Sequence, residues 1–240
     1  LIFAYADLLR VSFTLFVVFF GSVVAALLIG ITVHEFSHVL AAYLLGDRTG
    51  RNLGRLTLNP KAHLDPVGTI LLFMVGFGFG KPAPVNPYRL RLGPKTGMAL
   101  VAAAGPFSNL VIAGLAGLPI HAGMVPWHTP FVIYDSARFW SASDNIGLLL
   151  SATVIFNIIL ALFNLIPVAP LDGFRIAVGL LPDDLSRAVA SLEQYGIAIL
   201  LILFLLPLMT SSHFGIFQAL SPVINGLTGA FTGTHVAVFG

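Results

Sequence analysis

Two histidines four residues apart, His34 and His38, with Glu35 beside the first, have the types and spacing for chemistry. On a helix such a pair shares one face, so both imidazoles can reach one metal ion. Glu35 is rotated by about 100° from His34. That sets it beside the ion rather than on it, where it can take a proton from water held there. Zinc lowers the pKa of its water to about 7, which makes a nucleophile available at neutral pH with Glu35 as general base. The plainer reading of an isolated HExxH is two ordinary imidazoles on one helix face.

Catalytic zinc usually takes three protein ligands and keeps one position open. The sequence has no cysteine, so the third ligand must be imidazole or carboxylate. The extended HExxHxxGxxH pattern is not completed, because Ala41 and Leu44 stand at its glycine and third histidine. His63 and Asp65 follow Asn59-Pro60 in a basic, turn-rich stretch that reads as loop. His121 and His128 fall on the opposite side of the topology below, and Glu193 adjoins a charged loop and reads as solvated. Asp172 is the better candidate. It ends the run Asn164-Leu165-Ile166-Pro167-Val168-Ala169-Pro170-Leu171-Asp172-Gly173, in which two prolines interrupt a helix and free backbone carbonyls. Such backbone is tolerated at membrane depth only where protein or water covers it. A simple turn is the alternative, since Pro-x-Asp-Gly is a turn signal.

The elements that carry these residues are apolar. Hydrophobic residues make up 57% of the 240 and charged residues 9%, against about 25% charged in a soluble domain. Most of the surface must therefore face lipid. A net charge of +2 without a basic run is too small to suggest nucleic acid, and none is expected as a partner. Spans are expected at Val11–Leu45, Met98–Ile120, Ile146–Val168 and Tyr195–Met209, with a Gly-, Ser- and Thr-rich apolar stretch at Phe214–Phe239 that spans, re-enters or lies at the interface. The first is long enough to be either one tilted, projecting helix or two segments broken near Gly21. A carboxylate such as Glu35 at that depth costs at least about 2.5 kcal/mol unless paired or hydrated, which makes function its default reading.

Residues 67–80 are too few to cross comfortably, and eight of the 12 Lys and Arg lie in 46–96 on both sides of them. By the positive-inside rule both flanks are cytoplasmic, so 67–80 reads as a membrane-dipping loop. The stretch 121–145 holds only Arg138 among the basic residues and carries Trp127, Tyr134 and Trp140, as an outer interface would. The expected fold is an all-α polytopic membrane protein, a bundle of about five to six transmembrane or re-entrant helices forming one domain over 1–240. Asp172 then lies near the cytoplasmic face, within reach of His34 and His38 if its segment folds inward. The chain begins at Leu1 without methionine, as a trimmed or incomplete chain would, and shows no cleavable signal peptide.

At these residues the sequence resembles the site-2 protease family of intramembrane zinc metalloproteases. His34-Glu35-Phe36-Ser37-His38 matches the family's HExxH, Asn164 to Gly173 matches NxxPxxPxDG, and Ala104-Gly105-Pro106-Phe107-Ser108-Asn109 is similar to the small-residue and Asn motif between them. The resemblance covers most of 22–181; the 240 residues leave no room for an appended PDZ or CBS domain of the kind many relatives carry, so a compact form is expected. The resemblance implies one zinc ion held by His34, His38 and Asp172, with Glu35 catalytic. It further implies hydrolysis of a peptide bond within or near the transmembrane segment of a membrane-protein substrate. Asn164 would sit near the substrate or the reacting carbonyl. Asn109 reads equally as such a contact or as an interhelical hydrogen bond, and for Asn157 the interhelical bond is the preferred reading. The setting is a multi-pass protein of a prokaryotic cell membrane with its site toward the cytoplasm. The competing reading is a zinc transporter or sensor without proteolytic activity, since intramembrane His and Asp also mark ion pathways. A transporter would line both leaflets with ligands, whereas here they gather near one face. Substrate, trigger and oligomeric state are not legible in the sequence.

Overall fold

A computed structural model of the chain describes residues 2–75, 80–131, 137, 139–210, 215–234 and 238. After the short α1 (Ile2–Val11), Ser12 starts the long helix: its backbone is extended and its hydroxyl accepts from the Leu15 N–H. No proline follows, and α2 (Phe13–Leu44) runs for 32 residues without a break at Gly21. That is about 48 Å at 1.5 Å per residue, well beyond a hydrocarbon core of about 30 Å. Of the two expectations for this stretch, the single projecting helix holds.

α5 (Pro94–His121) and α6 (Ala142–Asn164) pack against α2 and against each other, and these three helices form the centre of the molecule. Small residues let them approach. A Cβ on Gly30 of α2 would lie 2.8 Å from Leu160 and 2.9 Å from Asn157 of α6, the close fit that glycine permits between membrane helices. The core lies on both sides of α6. Phe19, Val23 and Leu27 of α2 meet Leu148 and Ala152 on one side; Ala113 of α5 meets Val154, Ile158 and Ile224 on the other. Ile224 belongs to α10 (Ile216–Thr232), which covers α5 and α6. α7 (Asp172–Leu180) lies on α5. α8 (Asp183–Ala190) leads through a 3-10 turn, Ser191–Tyr195, into α9 (Gly196–Thr210), the expected fourth span.

Among the described residues there is no strand, and four helical stretches are long and apolar enough to cross a membrane: 13–44, 94–121, 142–164 and 183–203. With α10 as a fifth apolar helix, the expected all-α membrane bundle is the fold.

The two connections on the α2 C-terminal side position the site. α3 (Thr49–Asn52) follows α2, and α4 (Pro66–Val75) is only 10 residues, about 15 Å. Residues 76–79 of the membrane-dipping loop lie outside the described residues. Its two ends meet, however: Leu64 and Gly80 form an antiparallel bridge, and the Lys81 N–H donates to His63 O at 2.7 Å. The chain thus leaves and returns at one place. The following segment is fastened to the end of α2, with Asn86 N–H donating to Asp47 Oδ2 at 2.7 Å and Arg91 N–H to Leu45 O at 2.8 Å. Arg55 adds a bond to Lys81 O at 2.6 Å. Both basic flanks therefore share one end of the bundle. At the other end Trp140 is half-buried, stacked between Phe19 and His128; Tyr134 and Arg138 lie outside the described residues.

Candidate metal centre

His34 and His38 are successive-turn neighbours on the face of α2 that meets α5, and both are buried. Asp172 comes from a different element packed on α5, as the first residue of α7. α6 ends at Asn164, and the Pro167–Pro170 turn carries the chain to Asp172; Gly173 follows because a Cβ there would strike the carbonyl oxygens of Leu165 and Ile166. The Pro-x-Asp-Gly turn forms, and it aims the Asp172 carboxylate at the two imidazoles. Its place in the first turn of α7 also favours the ionised form, because the helix N-terminus is partially positive.

Three atoms converge. Asp172 Oδ2 lies 3.1 Å from His34 Nε2 and 3.2 Å from His38 Nε2, and the two Nε2 atoms are 3.0 Å apart. The other ring nitrogens are engaged behind them. His38 Nδ1 bonds the Val101 carbonyl at 2.7 Å, and His34 Nδ1 bonds Asn109 Oδ1 at 2.6 Å. Because both acceptors are oxygens, each Nδ1 carries a proton, and in the neutral ring each Nε2 then presents a lone pair. Two imidazole lone pairs and a carboxylate oxygen facing one another at this distance repel unless a cation or proton sits among them. Bonds of about 2.0–2.1 Å at tetrahedral angles put neighbouring ligand atoms about 3.3 Å apart, close to the spacing observed. Two imidazoles and a carboxylate with a fourth direction left over is also the donor set of a catalytic zinc site. The residues fit the ion. Among the described residues this is the one group of three or more such side chains placed to hold a metal.

Gly105 of α5 makes the convergence possible. A Cβ there would lie 2.5 Å from His38 Nε2 and 2.6 Å from His34 Cε1, so the glycine of this small-residue motif packs the two imidazoles themselves. Pro106 follows it inside α5 and interrupts the backbone ladder in the stretch where Val101 turns its carbonyl to His38. Glu35 is half-buried on the adjoining face; a Cβ on Gly80 would lie 3.6 Å from its Oε1, which puts the carboxylate beside the returning end of the 67–80 segment.

Asn109 is fully buried, and its Nδ2 donates to Gly30 O at 3.2 Å and Asn157 Oδ1 at 2.8 Å. Both ends of its amide are thus held within the protein. Asn164 is half-buried where α6 ends, with Nδ2 donating to Leu160 O at 2.9 Å. The other titratable residues weighed in the sequence do not join the cluster. His63 is buried with Nε2 on Thr57 O at 2.7 Å, and Asp65 caps α4 through the Val67 and Gly68 N–H groups. His128 pairs with Asp144 at 3.0 Å, and the exposed Glu193 with Arg175 at 3.5 Å. The Val101 carbonyl had no signal in the sequence beyond the Gly-Pro pair that follows it, since any residue supplies a carbonyl.

Residues 122–207, which include the Asn164 to Gly173 run, match peptidase family M50. The chain is 39% identical over 185 residues, 77% of its length and 80% of the relative's, to "Putative zinc metalloprotease YwhC" of Bacillus subtilis. It is 30% identical over 204 residues, 82% of its length and 71% of the relative's, to "Putative zinc metalloprotease Rip2" of Mycobacterium tuberculosis. To the protein of the same name from Mycolicibacterium smegmatis it is 29% identical over 195 residues, 80% and 70% of the two lengths. No solved structure matches the chain significantly. With this similarity over most of both chains, and with a two-histidine, one-carboxylate centre inside an apolar helical bundle, the chain belongs to peptidase family M50, the site-2 protease family of intramembrane zinc metalloproteases.

Proposed function

We propose that His34, His38 and Asp172 hold the zinc of this intramembrane protease and that Glu35 is its general base. The observation that carries the proposal is the convergence of three lone-pair atoms within 3.0–3.2 Å, each aimed by a different constraint. When bound, zinc supplies a Lewis acid that acidifies water and polarises the scissile carbonyl. Glu35 lies one residue along α2 from His34 and is half-buried; it takes the proton from the attacking water and delivers it to the amide nitrogen that leaves. Asn164, at the end of α6, keeps an amide N–H beyond the one given to Leu160 O, which is what a contact with a substrate carbonyl requires. Asn109, with both amide ends engaged, is a positioning residue in this reading rather than a substrate contact.

The family acts on membrane-protein substrates within the bilayer. For this chain the substrate is the transmembrane segment of another protein, locally unwound, because helical backbone in lipid is already hydrogen-bonded to itself. The site opens toward the cytoplasm of a bacterial cell: both basic flanks of 67–80 gather at the α2 end nearer the centre, and the relatives are bacterial. Residues 1–240 act as one domain. A zinc-conducting path has no support among the described residues, where a single ligand group stands alone with no second set to receive the ion.

The test compares membrane proteomes of cells carrying the protein with cells carrying Glu35→Gln, which removes the base and spares the ligands. A membrane protein that accumulates uncut in the variant is the expected outcome and names the substrate. Unchanged cleavage of an identified substrate by Glu35→Gln would refute the assignment of the base.

A further inference from the structure

Behind His34 stands a chain of hydrogen bonds that crosses all three central helices. Asn157 of α6 donates from Nδ2 to Thr153 O at 2.9 Å, and a backbone carbonyl can only accept. That bond fixes the amide, so Asn157 Oδ1 must be the acceptor facing α5. It receives Asn109 Nδ2 at 2.8 Å, and the same Nδ2 donates to a second carbonyl, Gly30 O, at 3.2 Å. Asn109 Oδ1 is therefore turned to His34, where it meets Nδ1 at 2.6 Å. Every donor and acceptor along this line follows from two backbone carbonyls, and the line has one solution: His34 is protonated on Nδ1 and presents the Nε2 lone pair to Asp172 and His38. All the side chains in it are buried, with Asn109 and Asn157 at 0% exposure.

We propose that Asn109, locked by Asn157, is the positioning residue that fixes the tautomer and ring orientation of His34 and so sets the zinc affinity of the centre. The inference rests on the ligand set proposed above. A metal-bound histidine takes its orientation and basicity from the partner of its other ring nitrogen, and here that partner is a neutral amide. A carboxylate in the same place would add a second buried negative charge beside Asp172, with the penalty that charge carries inside a bilayer. The simpler account is that Asn109 and Asn157 only hold α2, α5 and α6 together. The two accounts assign importance to different ends of the Asn109 amide: positioning uses Oδ1, and helix association uses Nδ2.

The experiment measures zinc affinity of the purified full chain in detergent by competition with a chromogenic chelator, and the absorption spectrum of the cobalt-loaded protein. His34→Ala and the unaltered protein serve as controls. Losing the partner of a ligating histidine costs about 10- to 100-fold in affinity, and that loss is expected for Asn109→Leu. Asn109→Asp keeps an oxygen acceptor for His34 and gives up both Nδ2 bonds; it is expected to bind zinc within about threefold of the unaltered protein, or more tightly, with a cobalt spectrum of the same shape. Asn109→Asp falling as far as Asn109→Leu would overturn the proposal in favour of helix association, as would full affinity in Asn109→Leu. If Asn109→Leu does not fold, Asn109→Asp decides alone: affinity within about threefold of the unaltered protein supports the proposal, and a loss of about tenfold or more overturns it. Failure of the ligand set reads differently: His34→Ala would then bind zinc as the unaltered protein does.

Discussion

Gly105 is the residue whose replacement best separates local propensity from tertiary need. Inside α5 an exchange of glycine for alanine is worth up to about 1 kcal/mol of helix stability. At this position the added Cβ would lie 2.5 Å from His38 Nε2 and 2.6 Å from His34 Cε1, closer than carbon and nitrogen approach without bonding. Gly105→Ala is therefore expected to keep its helical circular dichroism and to lose bound zinc by at least tenfold, read as metal per chain after gel filtration. A variant that retained a full zinc complement would show that the imidazoles do not need this cradle. HExxH is legible because its spacing is a property of one helix. The cradle is legible only as a small residue before a proline, because what the glycine faces comes from another helix.

At the level of elements, the buried carboxylate of Asp47 is one of the groups that hold the segment after Gly80 to the α2–α3 corner, beside the Leu45 carbonyl and Arg55. It accepts from Thr49 N–H at 3.0 Å, from the Thr49 hydroxyl at 2.6 Å and from Asn86 N–H at 2.7 Å. Burial pushes the Asp47 carboxyl up, but the Thr49 and Asn86 bonds, with Arg89 nearby, outweigh it and hold it below the ordinary carboxylate range. A lowered carboxyl contributes stability above its unfolded pKa and loses it as pH falls through the folded value. Anchoring of 81–93 is thus expected to be constant from neutral pH down to about pH 5 and to weaken only below about pH 4. Limited proteolysis of the segment measures it, and Asp47→Ala is expected to raise cleavage there at pH 7. Equal cleavage of Asp47→Ala and the unaltered chain would remove Asp47 as an anchor. The sequence offers Asp47 only as one acidic residue beside a basic loop; its partner Asn86 is 39 positions away, and no periodicity reports such a pairing.

At the scale of the molecule the three side chains come from α2 and α7, so with the ligand set proposed above a bound zinc ion would be a cross-link between elements as well as a reagent. An ion that binds only the folded chain stabilises it by RT ln(1 + [L]/Kd), about 2.7 kcal/mol at a hundredfold excess over Kd. Chelation in detergent is expected to lower the melting temperature, and the Asp172→Ala variant to melt at one temperature with or without chelator; a melting temperature of the unaltered protein indifferent to chelator would contradict the cross-link. The class of molecule, the HExxH pair and Asp172 as the best third candidate were all legible in the sequence. Composition sets the solvent a surface can face, and helical spacing sets which side chains share a face. Left open were one helix or two before His34, the direction in which the Asp172 segment folds, and the partners of the imidazole Nδ1 atoms. Tertiary structure decided these, because each depends on packing between segments far apart in the chain: α2 stays whole where α1 and α6 pack along it, and the Pro167–Pro170 turn points inward because α7 lies on α5.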